Sequence, residues 1–402
     1  MRLLLFPIMG LLGSLLTASC HSDTKQAATT GSLPTAATAP AVSPDALNNS
    51  PGASCRQYRG QLFNSPDSVT LNLLASPRRT QDAEFASLLA SYTGPDGHPY
   101  QLVSYTSTSP DSILLRDISP EVINNQREGA NWRLLRQGEK LVGTHNGQIV
   151  QLHEVHPATS LEFAVRYFSD SVVAFTDVAK SPKAHFSLQV LLPKKSFPAL
   201  TANILRDVRG DTIPDNPIAS LPQLWALQSV NYRKMYREDA AENRKGFRGS
   251  SAELADLYAL RYEQQQATYV LWNQAPWLSL GFYTYDYTGG AHGNYVTQTA
   301  TYDTRTGQRL RFADIFRPGT DAQLIQLLNQ AVRRTLHIPA NHPLDERLFV
   351  KTMPVTHNVY LTAGGAVFVY TTYEIASYAQ GEIPVFIPLA DLKPLMLLHL
   401  PA

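Results

Sequence analysis

The sequence predicts an α+β protein: an antiparallel sheet with helices on one side, preceded by a small all-β meander domain and a disordered tether. Three observations carry this. From Tyr58 to Pro157, strand-like pieces recur about every 8 to 12 residues between Gly, Pro, Asp and Asn. Beyond Ser160 apolar residues fall at helical spacing in several stretches, and alternation then returns. Tyr (19) and Pro (27) far outnumber Met (5), which favours strands and turns over long bundles.

The 402 residues suffice for two or three domains, with 44% hydrophobic and 17% charged residues. The formal net charge of +1 offers no field to gather a polyanion, so nucleic acid is not expected as a partner.

Residues 1–19 read as a lipoprotein signal peptide. Arg2 precedes an apolar run, Leu3 to Leu16, too short to span a bilayer comfortably. "LLTASC" then resembles a bacterial lipobox, with Thr17 where Leu is commonest. The resemblance implies cleavage before Cys20 and acylation there, palmitate included, so the lipid bilayer becomes a partner. Such chains, at about 0.8 kcal/mol per CH₂, form a lasting anchor. An ordinary secretory signal cut nearby would leave Cys20 incidental. The expected location is the extracytoplasmic cell envelope, at the outer membrane. The remaining cysteine, Cys55, has no intrachain partner and reads as buried and inert.

Residues 20–53 are Ala, Thr, Ser, Pro, Gly and Asn with almost no large apolar side chain, so they read as a disordered tether. Its typical reach is about 30 Å. Residues 54–157 read as β-hairpins. Residues 158–402 form the expected α+β domain. "AHFSLQVLLP" is a strand, and "FPALTANILRDV" and "LPQLWALQSVNYRKMYREDAAENR" are helices. "SAELADLYALRYEQQQ" is a further expected helix, capped by Ser250 or Ser251 with Glu253. "ATYVLWN" and "PWLSLGFYTYDYT" are strands meeting at a tight turn, and Thr306-Gly307 tips the next hairpin. "TDAQLIQLLNQAVRRTL" is a helix, and a hairpin with a last strand closes the chain.

Several chemistries find no footing. "HEVH", His153 to His156, has its histidines three apart in a strand-like stretch, not one helical turn apart. His337 and His342 flank Pro339 in a loop. The Ser22-to-Lys25 pair sits in the tether, where nothing preorganises it. Neither a G-x-S-x-G elbow nor a phosphate-cradling glycine loop occurs. No catalytic residue, metal or cofactor is therefore assigned.

"YTYDYTGGAHGNY", Tyr283 to Tyr295, is the stretch that asks for an explanation. In a strand Tyr283, Tyr285 and Tyr287 share one face, with Asp286 on the other. Gly289, Gly290 and Gly293 permit positive φ or close backbone approach. One reading is a glycine bulge whose His292 bridges backbone groups. The other is a shallow aromatic lip with His292 at its rim, suited to a sugar ring or a partner's side chain.

Thr288 to Gly293, Thr306-Gly307, Asp314-Ile315-Phe316, and Tyr373-Glu374-Ile375-Ala376 with Tyr378 together resemble an uncharacterised bacterial envelope domain over about residues 160 to 400. It is similar to the extracellular domain of the anti-sigma factor RsiV and the non-catalytic N-terminal domain of the peptidoglycan deacetylase PdaC. The resemblance implies an α+β fold and, in RsiV-like members, binding of lysozyme. It adds Tyr373, Glu374 and Tyr378 to the candidate binding residues. The sequence carries neither a deacetylase domain nor a sigma-binding segment, so those roles are not expected to transfer.

Three functions follow as expectations: a membrane-anchored module binding peptidoglycan or a muramidase-like protein, a glycan hydrolase or deacetylase using His292 and Asp286, or an envelope scaffold.

Overall fold

The computed structural model describes residues 49–62, 68–77, 88–94, 96–104, 111–123, 130–210 and 220–398. Cys20, the signal peptide and residues 20–48 of the expected tether lie outside the described residues.

The first eight strands are β1 (Ser54–Leu62), β2 (Ser68–Ala75), β3 (Leu88–Thr93), β4 (Pro99–Ser104), β5 (Ser112–Asp117), β6 (Trp132–Gln137), β7 (Lys140–His145) and β8 (Gln148–Glu154), with a helical turn α1 (Pro120–Ile123) between β5 and β6. They pair as consecutive antiparallel neighbours, and β8 returns to β1 with Tyr58 opposite Glu154. The expected meander is thus a closed barrel. Closure leaves no edge for stray pairing, and eight strands enclose a space that side chains can fill. Tyr58, Leu71, Leu115, Trp132, Leu141 and Leu152 fill it.

A second sheet holds β9 (Phe163–Val173), β10 (Lys183–Pro193), β11 (Glu263–Gln274), β12 (Trp277–Tyr287), β13 (Asn294–Asp303) and β14 (Arg309–Leu310), in the order β14-β13-β12-β11-β10-β9. It is mixed, not purely antiparallel, because β10 and β11 run parallel. A parallel pair needs a long crossover. The helices α2 (Pro198–Arg209), α3 (Leu221–Gly246) and the short α4 (Ser251–Ala255) supply it. They lie on one face: Gln228 of α3 bonds Gln266 of β11, and Trp225 stacks on Phe186 of β10.

The expected helix beginning at Ser251 is shorter than its pattern. Ser250 and Glu253 do form a capping box, but α4 ends at Ala255 and β11 starts at Glu263. Pairing to β10 and β12 on both sides overrides the helical spacing there.

The remaining elements are α5 (Phe312–Ile315), α6 (Asp321–Thr335), β15 (Val359–Thr362), β16 (Gly365–Tyr370), β17 (Ile383–Pro388) and α7 (Leu389–Leu392). The three strands make a separate antiparallel sheet where one continuous sheet was expected. Leu324, Leu328 and Val332 of α6 pack in one cluster with Leu361, Phe368 and Ile387. This layer and the barrel cover the face of the six-stranded sheet opposite α3. Ser279 Oγ donates to Leu361 O at 2.6 Å, and Ser91 Oγ donates to Val270 O at 2.7 Å.

The last residues of the expected tether are fixed. Asn49 Oδ1 accepts from Val165 N at 2.9 Å, Ser50 N donates to Val165 O at 2.8 Å, and Ala53 is buried. Burial also pushes the Cys55 thiol up to about 12, so it stays protonated and inert at neutral pH. Among the described residues, no helix is long and apolar enough to cross a membrane.

Candidate binding site

Strand alternation aims Tyr283, Tyr285 and Tyr287 at one face of β12. β13 returns antiparallel, with Tyr285 directly opposite Tyr295 and Tyr283 opposite Thr297. The inner part of this face is covered: the Tyr269 ring lies over Gly281, and Tyr283 packs against the main core. The outer part stays open and is completed from far along the chain. Tyr378 donates its hydroxyl to Gly293 O at 2.7 Å, stacks on His292 at 4.1 Å, and meets Tyr295 edge-on at 5.8 Å. Tyr373 lies 5.8 Å from Tyr378 and is 54% exposed.

Backbone geometry holds this lip open. Tyr373 has φ +67°, a left-handed conformation that costs a bulky residue on the order of 1–3 kcal/mol. Its segment is held down around it. Glu374 Oε2 accepts from Thr371 N at 2.9 Å and from Thr371 Oγ1 at 3.1 Å, and Thr372 Oγ1 donates to Tyr295 O at 3.2 Å. Glu374 therefore closes its own turn; it does not reach into the lip.

The three glycines divide their roles. Gly289 has φ +84°, and a Cβ there would stand 2.1 Å from Ala259 O. At Gly293 a Cβ would meet the Tyr285 ring at 2.2 Å, so the tyrosine seats on bare backbone. Gly290 is different: it has no positive φ, and a Cβ would meet only His292 O, at 3.9 Å. Its carbonyl accepts from Tyr287 Oη at 2.9 Å. His292 is exposed, not partly buried as a histidine bridging backbone groups inside a bulge would be. It is nonetheless pinned, with Nδ1 2.8 Å from Gly293 O and its ring on Tyr378.

Glu382 is the residue that sequence reasoning misses. It immediately precedes β17 and accepts from Thr297 N, beneath Tyr295. Burial among tyrosines raises its carboxyl from 4.5 to about 7, against the lowering pull of the Thr297 hydrogen bond. A lone Glu before an apolar strand gives no signal in sequence.

The expected acid–base pair is not assembled. Asp286 turns to the helix face, where it accepts from Gln264 Nε2 at 2.7 Å, while His292 sits on the tyrosine side. The "HEVH" histidines keep separate partners: His153 contacts Gln151, and His156 lies 3.2 Å from Glu162. His337 contacts Glu121 O and His342 contacts Glu346. Other resemblance markers are structural. Gly307 docks under α2 through Asn203, Asp314 pairs with Arg311, and Ile315 and Phe316 are core.

Two family models match the chain. One, described as a protein of unknown function (DUF3298), matches residues 313–390; the other, described as deacetylase PdaC, matches residues 213–295. The lip lies where the two matched segments meet. Tyr283 to Tyr295 belongs to the second segment, and Tyr373 to Glu382 to the first. Among solved structures, a DUF3298 family member from Bacteroides fragilis NCTC 9343 is similar at 23% identity and TM-score 0.51, over 59% of this chain and 94% of that one. A DUF3298 family protein from Pseudomonas aeruginosa PAO1 is 16% identical over 60% of this chain and 96% of that one, with TM-score 0.40. The first likeness supports the fold. No curated protein matches the chain. The two family matches agree with the domain resemblance read from sequence and support an envelope-associated protein.

Proposed function

We propose that this protein is a lipoprotein anchored through acylated Cys20, whose aromatic lip binds peptidoglycan or a muramidase-like protein in the cell envelope. One observation carries the reading: Tyr373 and Tyr378, with His292, present stacked rings at an open surface, Tyr373 held there in a left-handed conformation. Exposed aromatic faces suit the apolar C–H face of a sugar or a side chain at an interface. Backbone strain retained at a surface tyrosine favours a functional role over a packing one. The name of the second matched model adds deacetylation as a theme. The separation of Asp286 from His292 onto opposite faces favours binding over that chemistry.

The test is sedimentation of the soluble domain with insoluble peptidoglycan, and capture on immobilised lysozyme. Wild type is expected to be retained by one of them, and a Tyr373→Ala, Tyr378→Ala double variant to be lost. Equal retention of both proteins refutes the lip. For the anchor, Cys20→Ala should abolish palmitate labelling and release the protein from membranes.

A further inference from the structure

The lip's second half is a single segment, Thr371 to Gly381, laid over the β12–β13 hairpin. Buried Ile375 and Ala376 and the Phe349 N–H to Ile375 O bond root its middle, and four side-chain bonds fasten the rest: Thr372 Oγ1 to Tyr295 O, Tyr378 Oη to Gly293 O, Gln380 Nε2 to Arg347 O, and, from the adjoining residue, Glu382 to the Thr297 N–H. Of these four side chains, Glu382 alone changes charge in the physiological range.

The titratable groups facing Glu382 are Tyr269 of β11, Tyr283 of β12 and Tyr295 of β13. Each is neutral at physiological pH, since burial raises all three hydroxyls above their usual value. Within the segment Tyr378 stands beyond Tyr295, with His292 stacked on it, and Glu374 is turned to Thr371. Arg347 directs its guanidinium to Leu336 O. None of these contacts brings a cation to the carboxylate.

We propose that Glu382 is a proton-operated latch: protonated, it seats the Thr371–Gly381 segment on β13, and ionised, it loosens it. The neutral carboxyl keeps an oxygen to accept from Thr297 N–H, while the anion must sit among aromatic rings with no cation beside it among the described residues. The sign follows from the raised carboxyl, about 7 seated against an ordinary 4.5. The seated state is favoured in acid. Its advantage shrinks as pH rises above about 4.5 and is fully lost once the seated value near 7 is passed. Between pH 6 and pH 8 the seating equilibrium falls about tenfold. That this controls ligand capture rests on the lip being the binding site; the latch itself needs no ligand.

The decisive measurement is hydrogen–deuterium exchange on the whole chain at pH 6 and pH 8, corrected for intrinsic rates. Wild-type amides across 371–381 should lose protection about tenfold at the higher pH, while Glu382→Gln, a neutral acceptor, keeps it. Unchanged wild-type protection, or a loss that persists in Glu382→Gln, overturns the latch. Should that variant not fold, an NMR titration of the wild-type Glu382 carboxyl carbon serves instead. A midpoint near 7 supports the latch, and an ordinary carboxylate midpoint overturns it. A preparation that shows the exchange signature yet binds neither peptidoglycan nor lysozyme sinks the binding reading alone.

Discussion

The barrel and the lip are both rich in aromatic residues, and they use them in opposite ways. In the barrel, Trp132 and Tyr58 are fully buried, Tyr92 stacks on Tyr100 and meets Trp132 edge-on, and closed pairing leaves no strand edge. There the rings are filling. At the lip, Tyr373 is mostly exposed, Tyr378 shares its ring with a histidine, and one residue is held in a disfavoured backbone state. Aromatic burial and aromatic display are thus separate jobs here, told apart by backbone strain and by exposure.

The largest effect should come from the barrel. Trp132→Ala empties its centre and should cost about 3–5 kcal/mol in chemical denaturation, with lip binding unchanged in whatever remains folded. A loss below about 1 kcal/mol would show that the ring is not filling. Next comes the glycine pair. Gly289→Ala must enter a left-handed conformation against Ala259 O and should cost about 1–3 kcal/mol. Gly290→Ala, one residue on, should stay within about 0.5 kcal/mol. Equal costs for the two would remove the backbone distinction drawn between them. The sharpest test of display, read in binding more than in stability, is Tyr373→Gly. It relieves the positive φ, so thermal stability should hold or rise by up to about 1 kcal/mol while ligand retention disappears. Loss of stability instead would make Tyr373 a packing residue.

The sequence made the β12–β13 hairpin legible because alternation runs on both sides of a glycine cluster, and the register confirms it from Trp277–Asp303 to Asp286–Asn294. Barrel closure was not legible, since Tyr58 meets Glu154 across almost the whole unit and alternation cannot name a distant partner. The parallel β10–β11 pair was hidden for the same reason, and β11's first residues carry a helical pattern that pairing overrides. At the lip, Tyr283 to Tyr295 could be read locally. Tyr373, Glu374 and Tyr378 entered only through family resemblance, because 85 residues separate Tyr378 from the carbonyl it bonds. Glu374 proved to serve its own turn, and Glu382 went unnoticed because its distinction comes from burial alone.

The clip at Asn49 and Ser50 has a mechanical consequence. These residues occupy the N–H and C=O of Val165 and the N–H of Tyr167 on β9, the outermost strand of the six-stranded sheet, just before the chain enters β1. A pull on the N-terminal segment therefore does not fall on the barrel alone. It is shared between the barrel's first strand and the rim of the sheet, so the clip must give before the full load reaches β1.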